Sequence, residues 1–337
     1  MINPDSNDTA AFHVGDAPAT RDYRALREGA GATALGERSM VRVSGEDRAV
    51  FLHGMSSNDM RGARAGSIVP ALFLTEHAHL IADFFAWIEP GAILLDIDSA
   101  LWTRVRAHLE KLLVADDVEF NELPAMAVLD IEGPCAAMAA SAVAGSAAAA
   151  LEQWSFARFG DLLAGNLPRL GSRAFTILMP AGELAASIAR ITALGDDFRA
   201  VGAAALEVIR VENGLALAGV DTAEKTIALE ARLDRSISFS KGCYLGQETL
   251  ERATARGGLR KRLYGLRIEG ACAPEPGAAV MLAGKEVGRL SSVVRSPRLG
   301  VIGLAIVHHS AWDAAAALSI TDPRGEIPAR LCEIPFV

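Results

Sequence analysis

The order of apolar runs repeats along this chain, and that repeat constrains the fold more than any other feature. Residues 39–44 alternate with the period of a strand, and Gly45 leads into 46–60, where Val50, Phe51 and Leu52 suit the buried side of a helix. Residues 68–74, 80–88 and 92–97 are apolar, rich in strand-favouring side chains and separated by turn residues, as in an antiparallel meander. A helix over 100–114 follows, with Leu101, Val105, Leu109, Leu112 and Leu113 near helical spacing and Asp98 or Ser99 placed to cap it, and 118–123 closes the unit as a strand. The succession begins again with a strand at 125–131, Glu132-Gly133-Pro134 and an alanine-rich helix. Strands at 154–159, 161–164 and 175–179 follow, then helices at 181–194 and 203–211. Helices cover only one face of each sheet, so two α+β lobes are expected to lie side by side, each helping to cover the other.

From about Ala253 the texture changes to short β runs at 263–268, 279–282, 286–294 and 300–307, broken by Gly and Pro, which predicts a small barrel or sandwich. The expected division is a mobile tail over 1–20, an α+β lobe over 21–124, a second over 125–252 and a β domain over 253–337. The fold class is α+β.

Length and charge narrow the function classes. A chain of 337 residues, 51% hydrophobic and 22% charged, is long enough for two or three packed domains and too apolar to be disordered. Its 33 Lys and Arg against 41 Asp and Glu leave a net charge of −8, so no overall positive field draws it onto nucleic acid or membrane, and neither is an expected direct partner. Cys135, Cys243, Cys272 and Cys332 are far apart and form no paired framework, which suits a reducing cytoplasm. The first twenty residues contain no Lys or Arg and no apolar run, so no secretory leader is expected. The uncharged stretch 133–151 is mostly Ala with Ser and Gly, residues with little transfer energy, and reads as a packed helix rather than a membrane span.

Several motifs carry little. Gly29-Ala-Gly-Ala-Thr-Ala34 imitates a dinucleotide fingerprint but follows a charged segment instead of a buried strand. His77 and His79, with Asp83 nearby in sequence, would permit a metal site, but exposed turn histidines are the simpler reading, and no permanently bound metal is expected. The dense chemistry lies in 210–262. Arg210-Val-Glu212-Asn-Gly214, Gly219-Val-Asp221 and Glu224-Lys225 lead to Lys241-Gly-Cys-Tyr-Leu-Gly-Gln-Glu248, where polar groups crowd around glycines as a binding loop requires. Lys241 lies two residues before Cys243, and 246–256 reads as a helix, so a neighbouring cation and a helix N-terminus would both favour the thiolate; a half-buried structural cysteine is the alternative. Arg252, Arg256 and Arg260, spaced by four, with Lys261 and Arg262, form either a local basic strip or a solvated face.

Lys241-Gly-Cys-Tyr-Leu-Gly-Gln-Glu248 resembles the KGCYxGQE signature of the YgfZ family, folate-binding relatives of the glycine-cleavage T-protein that act in iron–sulfur cluster assembly or repair. Arg210-x-Glu212-x-Gly214, Gly219-Val-Asp221, Glu224-Lys-Thr226, Arg252, Arg256-Gly257 and Arg260 extend the likeness. Gly288, Ser291, Ser296-Pro297-x-Leu299-Gly300 and Ile302-Gly-Leu-Ala305 are similar to the C-terminal barrel of T-proteins. The resemblance implies a three-domain ring around a folate-sized opening. It also implies tetrahydrofolate or another reduced folate as cofactor, with Asp83 near the folate nitrogens and Arg210, Glu212, Tyr244, Gln247, Arg252 and Arg256 as folate-site residues. Departures are visible: Arg169-Leu-Gly-Ser172 stands where T-proteins carry Tyr-Thr-Gly-Glu, Ala82 where they can show a second aspartate, Ala205-Leu206-Glu207 where they carry Ala-Arg-Asp, and Ala228 where the YgfZ pattern has Pro.

The reading is a cytoplasmic, folate-binding accessory protein for iron–sulfur assembly, with Cys243 as working thiol, Lys241 as its activator, and assembly proteins or cluster-containing enzymes, including tRNA-modifying ones, as partners. One thiolate cannot hold a stable cluster alone. The alternatives are a tetrahydrofolate-dependent aminomethyltransferase or demethylase, and a scaffold that has lost folate.

Overall fold

The computed structural model describes residues 17–171, 173–255, 258–270, 272–313 and 317–336. Helix α1 (Ala17–Glu28) and strand β1 (Ala30–Ala34) come first. Residues 1–16 of the expected tail lie outside the described residues, and 17–20 belong to α1.

The first lobe comprises β2 (Arg38–Ser44), α2 (Arg48–Met55), β3 (Ile68–Leu74), β4 (Leu80–Ile88), β5 (Ile93–Asp98), α3 (Ser99–Leu112) and β6 (Glu119–Glu122). Its strands lie in the order β3-β4-β5-β2-β6 with every neighbouring pair antiparallel. The Asp98 side chain caps α3 by accepting from the Ala100 N–H at 2.8 Å, a contact worth about 1 kcal/mol. The helix expected over 46–60 is only α2, because the chain turns extended at Ser56 and Ser57 donates its N–H to the Leu72 carbonyl at 3.0 Å. Leu52, Trp102, Val105 and Leu109 from the two helices pack on one face of the sheet, against Phe73, Phe84 and Leu95.

The second lobe comprises β7 (Met126–Glu132), α4 (Ala136–Ala144), β8 (Phe156–Phe159), β9 (Leu162–Gly165), β10 (Ala174–Pro180), α5 (Leu184–Thr192), β11 (Phe198–Ala200) and α6 (Ala203–Glu212). Its strand order is β11-β1-β7-β10-β9-β8, so β7, β10, β9 and β8 repeat the order of β2, β5, β4 and β3. The place that β6 takes beside β2 is taken beside β7 by β1, from the N-terminal segment, which corrects the assignment of all of 21–124 to the first lobe. The glycines of the rejected fingerprint serve this strand's close packing. A Cβ at Gly29 would lie 2.0 Å from the Asp197 carbonyl oxygen, and one at Gly31 would lie 2.6 Å from the Leu26 side chain.

The two sheets meet on the faces their helices leave bare. Met40, Phe85, Trp87 and Leu94 of the first lobe interlock there with Val128, Phe156, Leu163 and Leu178 of the second. After α6 an irregular segment runs to α7 (Gln247–Ala255), and the chain ends in a closed six-stranded barrel. Its strands are β12 (Lys261–Ile268), β13 (Ala279–Leu282), β14 (Lys285–Ser296), β15 (Gly300–His308), β16 (Leu318–Asp322) and β17 (Gly325–Cys332), and β12 closes it by pairing with β17. No helix among the described residues is long and apolar enough to cross a membrane.

Candidate functional site

The interface between the lobes changes character along its strands. Beyond the apolar cluster, Asp96 on β5 and Asp130 on β7 are buried on the inner faces. Arg38 donates Nε to Asp96 at 2.7 Å, and Arg169, on the loop after β9, donates to Asp96 as well. Arg169 also donates Nε to Thr176 Oγ1 at 3.0 Å, lies 3.3 Å from Asp130, and stacks its guanidinium 5.0 Å from the Phe85 ring centre. Burial pushes the Asp96 carboxyl up, but the guanidiniums of Arg169 and Arg38 outweigh it and hold the group below the usual carboxylate range. Asp130 shares only Arg169 and the Thr176 hydroxyl, so burial prevails and its carboxyl is pushed up to about 6.

This difference sets a testable pH dependence. Between about pH 4 and 6 folded Asp130 holds a proton that the unfolded chain has released, so this group's contribution is greatest on the acid side and falls as pH rises through that window. Asp130→Asn is expected to remove the fall. In urea melts the unfolding free energy of the variant should gain on the parent by up to about 3 kcal/mol between pH 4 and 7, at about 1.4 kcal/mol per unit. Parallel pH profiles would contradict it.

Asp83 lies on the same inner face of β4 as Phe85, two residues along the strand, and is half-buried. Burial raises its carboxyl above the ordinary range, with Asp98 adding to the push and Arg38 and Arg235 pulling the other way. Arg235 belongs to a single tight turn, Asp234–Ser236, packed on β3, with Phe239 exposed just beyond it. A carboxyl raised in this way, with guanidiniums near it, can hydrogen-bond a nitrogen heterocycle in either protonation state. Two cavities of about 280 and 400 Å³ open elsewhere, one between the lobes around Leu35, Met40 and Leu123, one between α1 and Asp196-Asp197, and neither is lined by Asp83 or Cys243.

The cysteine loop, 238–247, packs on the C-terminal end of α2. Lys241 is buried and donates Nζ to the carbonyls of Ser56 at 2.6 Å and Asn58 at 2.9 Å, and to that of His53. Three acceptors use all three ammonium protons, so Lys241 anchors the loop that carries Cys243. Burial draws its pKa down to about 8, against Asp59. Ser57 continues the seam: its hydroxyl donates to the Ser236 carbonyl at 2.5 Å, and its carbonyl accepts from Ser238 N–H at 2.9 Å. Gly246, at φ +87°, passes so close to the turn after β3 that a Cβ there would sit 2.6 Å from the Thr75 carbonyl oxygen.

Tyr244 is no surface ligand either. It is buried among Leu72, Leu74, Leu80, Leu229 and Leu250, and burial, with Glu251, pushes its phenol up to about 12. Gln247 accepts from the Tyr244 N–H at 3.3 Å and donates to Glu251 at 2.8 Å, closing the first turn of α7. Cys243 itself is exposed, four residues ahead of that helix. Arg252 is exposed and pairs with Glu248 at 3.2 Å; Arg256 and Ser172 lie outside the described residues.

Arg210 and Glu212, read as folate-site residues, are buried between α6 and the barrel at 6% and 1% exposure. Arg210 donates to both oxygens of Glu207 at 2.7 and 2.6 Å, to Asp221 at 2.6 Å and to Ser292 on β14 at 2.5 Å. Asp221 accepts in addition from Ser291 at 2.5 Å and Ser292 at 2.7 Å. Glu212 accepts from Tyr23 at 2.9 Å, from Arg27, and from Ser296 at the end of β14. These residues fasten α1, the second lobe and the barrel together, and their polar groups are taken up in doing so. Arg38, Asp96, Asp130, Arg169, Arg235, His53 and Asp59 were missed by sequence reasoning. The signal for two of them was a carboxylate at alternate positions of otherwise apolar strands, in Ile-Leu-Leu-Asp96 and Met-Ala-Val-Leu-Asp130. Among the described residues no group of His, Cys, Asp and Glu is arranged to hold a metal; His77, on an exposed turn, and His79, half-buried in a bridge to Ile227, are 6.0 Å apart between ring centres.

Comparison with known proteins now bears on this geometry. Residues 11–241 match the GCVT N-terminal domain, and residues 261–337 match the glycine cleavage T-protein C-terminal barrel domain. The chain belongs to the glycine cleavage T-protein family. A chloroplastic protein of Arabidopsis thaliana, a transferase by name, is 29% identical over 306 residues, covering 88% of this chain and 69% of its own length. An aminomethyltransferase of Rubrobacter xylanophilus is 26% identical, with 94% of this chain and 85% of that one covered. The crystal structure of the glycine cleavage system aminomethyltransferase T of Bartonella henselae superposes with a TM-score of 0.86 over 95% of this chain and 89% of that one, at 21% identity, so the fold is shared. The two domain matches of this T-protein-family chain leave 242–260 between them, the stretch that holds Cys243 and α7.

Proposed function

We propose that this T-protein-family chain is a folate-binding protein that works through the thiol of Cys243 in iron–sulfur cluster assembly or repair, supporting cluster-dependent enzymes such as those that modify tRNA. The observation that carries this reading is the division of labour within Lys241–Glu248. Lys241, Tyr244, Gly246 and Gln247 are all used to build and anchor the loop, and the side chain they leave exposed ahead of α7 is a nucleophile. The resemblance of that octapeptide to the YgfZ signature supplies the cluster-related role. Tetrahydrofolate or another reduced folate would lie at the Asp83 end of the first lobe's inner face, with Asp83 hydrogen-bonding the pterin nitrogens; Arg235 suits the glutamate carboxylates. In cells lacking the native protein, Cys243→Ala is expected to abolish support of a cluster-dependent tRNA methylthiolation enzyme, and full support would refute the role of the thiol. Asp83→Asn is expected to weaken folinic acid at least tenfold by isothermal titration, the loss of about 1.4 kcal/mol; unchanged binding would remove Asp83 from the site.

The names of the relatives favour a second reading, a tetrahydrofolate-dependent aminomethyl or methyl transfer in which Asp83 orients the amine. Ser172 stands at the glutamate's place in the Tyr-Thr-Gly-Glu segment of T-proteins, and this argues against it, since a hydroxyl cannot replace a charged acceptor pair at equal strength. Formation of methylene-tetrahydrofolate from tetrahydrofolate and a methylated amine donor would decide for this second reading.

A further inference from the structure

The cysteine loop faces a histidine that the reading above leaves idle. His53, in the last turn of α2, gives its backbone carbonyl to Lys241, so the anchor that holds the loop also holds this residue. Its ring nitrogen Nδ1 lies 2.9 Å from Asp59 Oδ1. Asp59 is fixed in turn by the N–H groups of Arg61 at 3.0 Å and Gly62 at 2.8 Å, and these bonds, the Gly62 one foremost, keep its carboxyl below the usual range. A carboxylate only accepts, so Nδ1 carries the proton and Nε2 presents a lone pair. That nitrogen lies beside the cysteine loop: a Cβ built on Gly242 would stand 3.9 Å from Nε2. Cys243 is the next residue, its Cα about 3.8 Å from that of Gly242.

We infer that His53, oriented by Asp59, is the proton acceptor for the Cys243 thiol, directly or through one water. The inference rests on Cys243 being the working group. In the step the S–H bond breaks and an N–H bond forms at Nε2, giving a thiolate and an imidazolium whose charge Asp59 balances, the nucleophile–base–orienter order of other activated thiols. The charged groups facing His53 are Asp59, Lys241 and Arg61. Burial and the Lys241 ammonium keep the imidazole neutral and ready to accept.

The test is the pH profile of Cys243 alkylation by iodoacetamide, in which the thiolate sulfur bonds the methylene carbon and iodide leaves, read by mass spectrometry of the Cys243 peptide so that the other three cysteines do not interfere. The parent is expected to be alkylated readily at pH 7, the imidazole taking the thiol proton as the sulfur attacks. His53→Gln, which keeps the carbonyl that Lys241 needs, should slow alkylation at pH 7 about tenfold and remove the pH dependence that the imidazole imposes. Asp59→Asn should slow it by less. Coincident profiles for parent and His53→Gln, with both folded by circular dichroism, would overturn the inference. Full cellular activity of Cys243→Ala would instead overturn the functional reading beneath it, so the two failures are told apart.

Discussion

Arg210→Ala is expected to lower the stability of this protein by about 4 kcal/mol, the range found when one partner of a buried ion pair is removed. The substitution leaves Asp221 buried with two serine hydroxyls and one backbone N–H as its remaining donors, and frees Ser292 and Glu207 as well. Because the clamp joins α6 to β14, the loss should be felt as loosening of the barrel from the second lobe. A thermal midpoint lower by roughly 6 °C is the expected readout, from about 1.4 °C per kcal/mol in a chain of this size. The double change Arg210→Met with Asp221→Asn should be milder than the sum of its parts, since it removes the stranded charge together with its partner. If Arg210→Ala melts with the parent and instead abolishes folate binding, Arg210 belongs to a ligand site after all.

Lys241→Met should inactivate the protein by a different route. Methionine fills the space but leaves the carbonyls of His53, Ser56 and Asn58 without their donor, at about 1–3 kcal/mol for each buried group that water cannot reach. The loop bearing Cys243 and the end of α2 then separate, and cellular support of cluster-dependent enzymes is lost although Cys243 is intact. Lys241→Arg should fail too, because three carbonyls converging on one point suit a compact ammonium and not a planar fork. The check is the Cys243 alkylation profile beside the cellular assay: both should change in both variants. Retained activity in Lys241→Arg would show that charge alone, and not the cage, is what matters.

Much of the architecture could be read in advance because it is written in neighbours. The alternation in 39–44 and the four-residue recurrence in 100–114 produced β2 and α3, and the echo between the halves produced the two lobes. What escaped was local pattern too weak to read: β16 is short, and β17 is half polar and carries Pro328. The cysteine octapeptide stands out by its density of polar and glycine residues, but residue type could not say which of its side chains face solvent. Residue type also misassigned Arg210 and Glu212, since a guanidinium or carboxylate has the same chemistry whether its partner is a ligand or the protein itself.

The amino-acid order alone determined the succession of helices and strands and the presence of two lobes and a β domain, because hydrophobic period is a property of residues a few positions apart. Only the folded chain decided which charges meet: Tyr23 reaches Glu212 across 189 positions, Lys241 reaches His53 across 188, and Arg169 reaches Asp96 across 73. Buried polar groups must find partners wherever packing brings them, and that choice is made by strand order and domain closure, which leave no periodic trace in sequence.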